Sequence, residues 1–87
     1  MKITPDEIAA KIERVEYIHH DLLTFCVITM LSGFKVTGQA ACAAPAEYEQ
    51  QKGDKMAYRD AFSKLFLMEG YMLRDRQYQQ SIQEKAA

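Results

Sequence analysis

Two histidines and a carboxylate stand side by side at His19-His20-Asp21, the densest group of ligating and proton-moving side chains in the chain. Together they could bind a metal ion or shuttle a proton. Adjacent strand residues point to opposite faces, however, so His19 and His20 cannot readily share one ligand if a strand runs through them. A solvent-facing turn is the plainer reading, and the sequence favours it. Cys26 and Cys42 are too few for a zinc site. Cys26 lies inside an apolar run, with no helix start beside it to activate the thiol. Both cysteines read as small hydrophobes first and as a thiol pair second. Glu13, Glu16 and Asp21 make no recognisable acid–base pair. The four glycines are scattered and form no phosphate loop. No catalytic residue, metal ligand or cofactor is therefore expected, and the expected activity is binding.

A second group lies in the C-terminal third. Tyr58, Tyr71 and Tyr78 could stack on a planar ligand, and Arg74 and Arg76 could meet phosphates. The plainer reading of Arg74-Asp75-Arg76 is a solvated helix end with cations favoured by the helix dipole. The charges nearly cancel, with 11 basic and 12 acidic residues and no long run of either sign. That argues against nucleic acid, whose binding shows as a basic stripe. No apolar stretch is long enough to span a bilayer. The start, Met1 to Glu7, carries charges and a proline where a leader would be apolar, so a reducing cytosol is the expected compartment.

These residues must be held by a small set of elements. Thr4, Pro5 and Glu7 have the form of a helix start with a capping box, and Ile8, Ala9 and Ile12 give that helix one apolar edge, ending near Glu13. Period-two alternation over 14–19 predicts a strand with Val15 and Tyr17 on one side, and His20, Asp21 and Leu22 turn the chain. The run at 24–31, rich in β-branched and aromatic residues, is the strongest strand signal. Ser32-Gly33 reads as a two-residue turn leading to a partner strand over 34–40. That loop would pair Leu31 with Phe34, Thr29 with Val36 and Val27 with Gly38. Phe25, Val27, Leu31, Phe34 and Val36 then form the core face. Cys26, Ile28 and Met30 lie on the other, beside Lys35, Thr37 and Gln39. Gly38 inside a strand suggests a bulge or a close backbone approach.

Pro45 opens the second helical region, which Gly53-Asp54 breaks or bends. Beyond it, Tyr58, Ala61, Phe62, Leu65, Met68, Tyr71 and Met72 recur at helical spacing to about Tyr78. The expected architecture is a single α+β domain over 1–87: a short N-terminal helix, a three-stranded antiparallel meander and a long C-terminal helix packed on the sheet. Its ordered core is expected over about 4–78, with a frayed tail over 79–87. Gly70 costs this helix about 1 kcal/mol relative to alanine unless a neighbour packs closely against it.

One helix covers one sheet face. Cys26, Ile28 and Met30 would then need a second cover, from the first helix or from another copy. Phe66, Leu67, Tyr71, Leu73 and Tyr78 add more apolar surface than one face can bury, and such surplus marks interaction sites. The candidate binding residues are Ile28, Met30, Phe66, Tyr71, Arg74, Arg76 and Tyr78, and the expected assembly is a homo-oligomer, a dimer by preference.

Over 15–74 the chain resembles a family of small proteins of tailed phages and prophages, the gp-forty-nine/sixty-six-like phage family. The resemblance is carried by Val15 and Tyr17, Thr24 and Cys26, Gly33-Phe34-x-Val36-x-Gly38, Ala41-Cys42, Pro45 and Gly53. It continues through Ala57-Tyr58, Ala61 and Leu65 to Glu69-Gly70-Tyr71-x-Leu73. The chain departs at Ser32-Gly33, where Asn-Gly is common, and at Leu65-Phe66, where the family tends to carry tryptophan. The resemblance implies a phage accessory protein acting in the bacterial cytoplasm, with no catalytic residues to carry over. Two functions follow as expectations: binding and inhibiting a bacterial host or defence protein, or sequestering a signalling nucleotide in an oligomeric sponge.

Overall fold

A computed structural model describes residues 3–86. Met1 and Lys2, in the stretch read for a leader, and Ala87, the end of the expected tail, lie outside the described residues. Helix α1 spans Pro5–Ala9, where the Thr4 side chain accepts a hydrogen bond from the Glu7 N–H at 3.2 Å and Pro5 occupies the first turn. It ends earlier than its apolar edge suggested, because Ile12 belongs to strand β1, Ile12–His20. A bulge at Glu13 keeps Ile12 and Val15 on one face although they are three residues apart. Asp21 and Leu22 turn the chain, with Asp21 at φ +51°, a conformation Asp tolerates better than most side chains. Strands β2, Leu23–Met30, and β3, Lys35–Ala41, complete an antiparallel meander of order β1-β2-β3.

The β2–β3 register differs from the expected one by a single residue. Ile28 pairs with Val36, Cys26 with Gly38 and Thr29 with Lys35. The loop has three residues, Leu31-Ser32-Gly33, closed by a Gly33 N–H bond to the Met30 carbonyl and a Met30 N–H bond to the Phe34 carbonyl, both 2.8 Å. Gly33 takes φ +91°, the left-handed position this loop length needs and glycine occupies without strain. A one-residue slip moves every side chain to the opposite face. Cys26, Ile28, Met30 and Val36 therefore form the core face, while Phe25, Val27 and Thr29 share the open face with Lys35, Thr37 and Gln39.

A short 3₁₀ turn at Pro45–Glu47 leads into helix α2, Gln50–Ala86. Gly53 neither breaks nor interrupts it, and the helix continues past Tyr78 through the segment expected to fray. At about 1.5 Å per residue its 37 residues reach about 55 Å, so it outruns the sheet and stretches the molecule to 64 Å. α2 packs on β2 and β3, and α1 packs against α2 rather than on the open sheet face. The core is Ile8, Cys26, Ile28, Met30, Val36, Ala57, Ala61 and Leu65. Ala57, Ala61 and Leu65 recur every four residues, the spacing of one helix face. Gly38 is the point of closest approach: a Cβ there would stand 2.2 Å from the Ala57 carbonyl oxygen and 2.3 Å from the Ala61 nitrogen. The expected close backbone approach is thus a helix laid directly on a strand. No helix is long and apolar enough to cross a membrane, among the described residues.

Candidate binding site

The structure does not gather the candidate binding residues. Ile28 and Met30 are core, 0% and 7% exposed, because the register turns them under α2. Phe66 is half-buried beside Phe62 on one flank of the helix. Tyr71 is 74% exposed on another face, and Arg74, Arg76 and Tyr78 stand on the part of α2 that outruns the sheet. Tyr58 and Tyr78 lie twenty residues apart on one helix, about 30 Å along its axis, so no single planar ligand meets both.

Two concave surfaces bear on these candidates. The larger, about 770 Å³, lies between the β2–β3 loop and α2. Met30 and Leu65 make its floor; Leu31 and Phe34 rise on one side, and Leu67, Met68, Tyr71 and Met72 on the other. Leu31, Phe34 and Leu67 are 69%, 55% and 76% exposed, an apolar density that water solvates poorly. Lys11 and Glu69, an ion pair at 2.9 Å, mark its polar rim. Three methionines make the lining adaptable, since an unbranched thioether chain repacks readily. Leu31, Phe34, Met68 and Met72 were missing from the candidates. The expected register places the first two on the core face, and the observed one does not. The methionines sat in the helical pattern that reads as core.

The smaller surface, about 460 Å³, lies over β1, where α2 does not cover the sheet. Tyr58, Phe62 and Phe66 run along the helix flank with ring centroids 5.6 and 5.7 Å apart, the second pair edge-on. Tyr17 faces them from β1, and Lys55 and Arg59 supply two cations. Burial pushes the hydroxyls of Tyr17 and Tyr58 above their ordinary range, helped at both by Cys26, so both are protonated donors at neutral pH.

His19 finds its partner across the fold rather than in Asp21. Its Nε2 lies 2.6 Å from Asp54 Oδ1, and the Gln50 amide nitrogen lies 3.3 Å from each ring nitrogen. A carboxylate only accepts, so Nε2 carries the proton and donates to Asp54. The contact ties the end of β1 to the first turns of α2. His20 stays exposed near Asp21 at 3.8 Å. Cys26 is fully buried, and burial followed by the nearby Asp54 charge pushes its thiol up, which keeps it protonated and inert. Cys42 is partly exposed and donates to the Ala44 carbonyl at 3.2 Å; the two thiols are free.

The sequence pattern of the phage protein (N4 Gp49/phage Sf6 gene 66) family matches residues 3–77. The chain belongs to this family. It is a phage protein, and the resemblance read over 15–74 extends to nearly the whole α+β body. No curated protein and no solved structure matches the chain. Many residues that carry the family resemblance are those of the helix-on-sheet contact: Gly38 against Ala57 and Ala61, with Cys26, Val36 and Leu65 around them. The family match ends at residue 77, on the stretch of α2 that has outrun the sheet.

Proposed function

We propose that this phage protein is an accessory factor that binds and inhibits a bacterial host or defence protein in the host cytoplasm, through the apolar groove between the β2–β3 loop and α2. The observation that carries the reading is the groove itself: an apolar wall of Leu31, Phe34, Leu67 and Tyr71, exposed on a small, nearly neutral domain. Apolar walls with a narrow charged rim suit an amphipathic helix, whose apolar side chains enter the groove while its polar face stays in water. The proposed action is binding rather than catalysis, with the His19–Asp54 pair, which faces the Gln50 amide, read as a tie between β1 and α2. The test is native mass spectrometry of the tagged protein captured from infected cells, beside a Phe34→Asp/Tyr71→Lys variant. A stoichiometric complex with one bacterial protein, lost in the folded variant, is the expected result. A complex that the variant retains would move the binding site elsewhere.

A second reading rests on the smaller surface. Three aromatic rings in a row, one pair tilted and the other edge-on, with Lys55 and Arg59 beside them, suit a planar anionic ligand such as a signalling nucleotide, which the protein would sequester. Extra small-molecule mass on the captured protein, lost on Arg59→Ala, would favour this reading over the first.

A further inference from the structure

The two edges of the sheet are treated differently. On β3, the backbone groups of Thr37 and Gln39 point away from β2, and α2 blocks them: Gln39 N–H donates to Asp60 Oδ2 at 3.0 Å, and Lys64 Nζ donates to the Thr37 carbonyl. Asp60 and Lys64, an i,i+4 pair on the helix, thereby close that edge to any incoming strand. On β1 the outward groups follow from two bonds. Met30 N–H donates to the Phe34 carbonyl, and Leu31 N–H donates to the Lys11 carbonyl, both at 2.8 Å. Hydrogen-bonded pairs alternate along antiparallel strands. The backbones of Arg14, Glu16, Ile18 and His20 therefore face β2. Those of Val15, Tyr17 and His19 point outward, and among the described residues no hydrogen bond reaches them. The bulge sits at Glu13, so 14–20 is a regular, open edge.

The face above this edge is open as well. α2 lies over β2 and β3, leaving Tyr17 38% exposed beside the flank of Tyr58, Phe62 and Phe66. Edge and face lack a cover at the same place.

We propose that a second copy of this chain supplies both, joined β1 to β1 in an antiparallel two-fold pair centred on Tyr17. Outward groups must meet outward groups, which restricts the pairing to odd residues opposite odd ones. A pair centred on Glu16 sets that carboxylate against its own copy, which is destabilising. A pair centred on Val15 draws the bulged Glu13 into the ladder. Centring on Tyr17 uses the whole regular stretch: Val15 meets the partner's His19, Glu16 the partner's Ile18, and Arg14 the partner's His20. Within 14–20 no two carboxylates oppose each other. The product is one continuous six-stranded sheet. The two α2 helices flank the dyad about 19 Å apart, four strand spacings of about 4.8 Å. The surface lined by Tyr17, Lys55, Tyr58, Arg59 and Phe62 is open on one side in a single chain. In the dimer it becomes a trough walled by both copies. The proposal does not depend on what fills the apolar groove at the other flank of α2.

Sedimentation equilibrium of the full chain, with amide hydrogen exchange across a concentration series, tests it. A dimer is expected, in which the Val15, Tyr17 and His19 amides exchange more than about tenfold slower than in dilute monomer. Tyr17→Pro removes an outward backbone N–H together with the Tyr17 ring but no N–H of the β1–β2 ladder, and should give a folded monomer by circular dichroism. Tyr71→Lys, on the other flank of α2, should remain a dimer. A chain that is monomeric at every concentration overturns the proposal. So does a dimer whose three amides exchange freely, or one abolished by Tyr71→Lys but not by Tyr17→Pro. If Tyr17→Pro fails to fold, exchange in the unaltered protein decides the question alone.

Discussion

Two glycines that look alike in the sequence have opposite roles. Gly38 lies under α2 with helix backbone about 2 Å from where a Cβ would go, and backbone cannot rotate aside. Gly38→Ala should destabilise the fold by about 3 kcal/mol or more, at the upper end of overpacking costs. A Cβ at Gly70 would meet nothing within 4 Å among the described residues, so no close packing partner for it is found among them. Gly70→Ala should stabilise the fold by about 1 kcal/mol, the helix-propensity difference alone. Urea unfolding of both variants measures the two signs. The thiols separate in the same way. With Cys26 buried and its thiol pushed up, a thiol reagent should label Cys42 first and reach Cys26 only through unfolding. The raised thiol also gives stability a pH slope. Its contribution is complete below the ordinary thiol value of 9.0 and is lost as pH rises through the higher folded value. Tyr17 and Tyr58 act in the same direction at still higher pH. Stability should fall in alkali, with faster Cys26 labelling accompanying it.

Among the elements, the β2–β3 hairpin decides most. Its two strands are legible from alternation and β-branched content, yet its register is not. Ser32-Gly33 suits a two-residue turn, and that turn would put Phe25 and Val27 in the core. Both faces of β2 are apolar, so periodicity along β2 alone could not choose between them. The choice is made by β3 and α2. Val36, Gly38 and Ala40 offer small or apolar side chains toward the helix, and only the Gly38 face admits Ala57 and Ala61. Deleting Ser32 tests this directly, because Leu31-Gly33 is then a two-residue loop between Met30 and Phe34 that keeps the pairs Ile28–Val36 and Cys26–Gly38. The deletion should retain cooperative unfolding and the native near-ultraviolet spectrum, since Thr37 and Gln39 stay on the open face.

At the scale of the molecule, α2 is two things in one helix. Its first half is the roof of the domain, held by Ala57, Ala61 and Leu65. Past Leu73 and Arg76, which line a hollow beside α1, the helix runs on exposed, with Tyr78 58% and Ile82 41% accessible. Truncation after Gln77 should therefore change the unfolding free energy by less than about 0.5 kcal/mol, as for surface changes away from packed features. Amides beyond that point should show little exchange protection in the intact chain.

Element types, their order and the α+β class follow from local chemistry. Capping at Thr4, alternation in β1, β-branched and aromatic content in β2, and the helical spacing of Ala61, Leu65 and Met68 act over a few residues each, and so they are written in the sequence. Which face of β2 is buried, that His19 answers Asp54 and not Asp21, and that Leu31 and Phe34 wall a groove depend on contacts between residues far apart in the chain. Those contacts were decided only when a helix backbone came to rest on Gly38, because a single missing Cβ sets where, and therefore on which face, the long helix can lie.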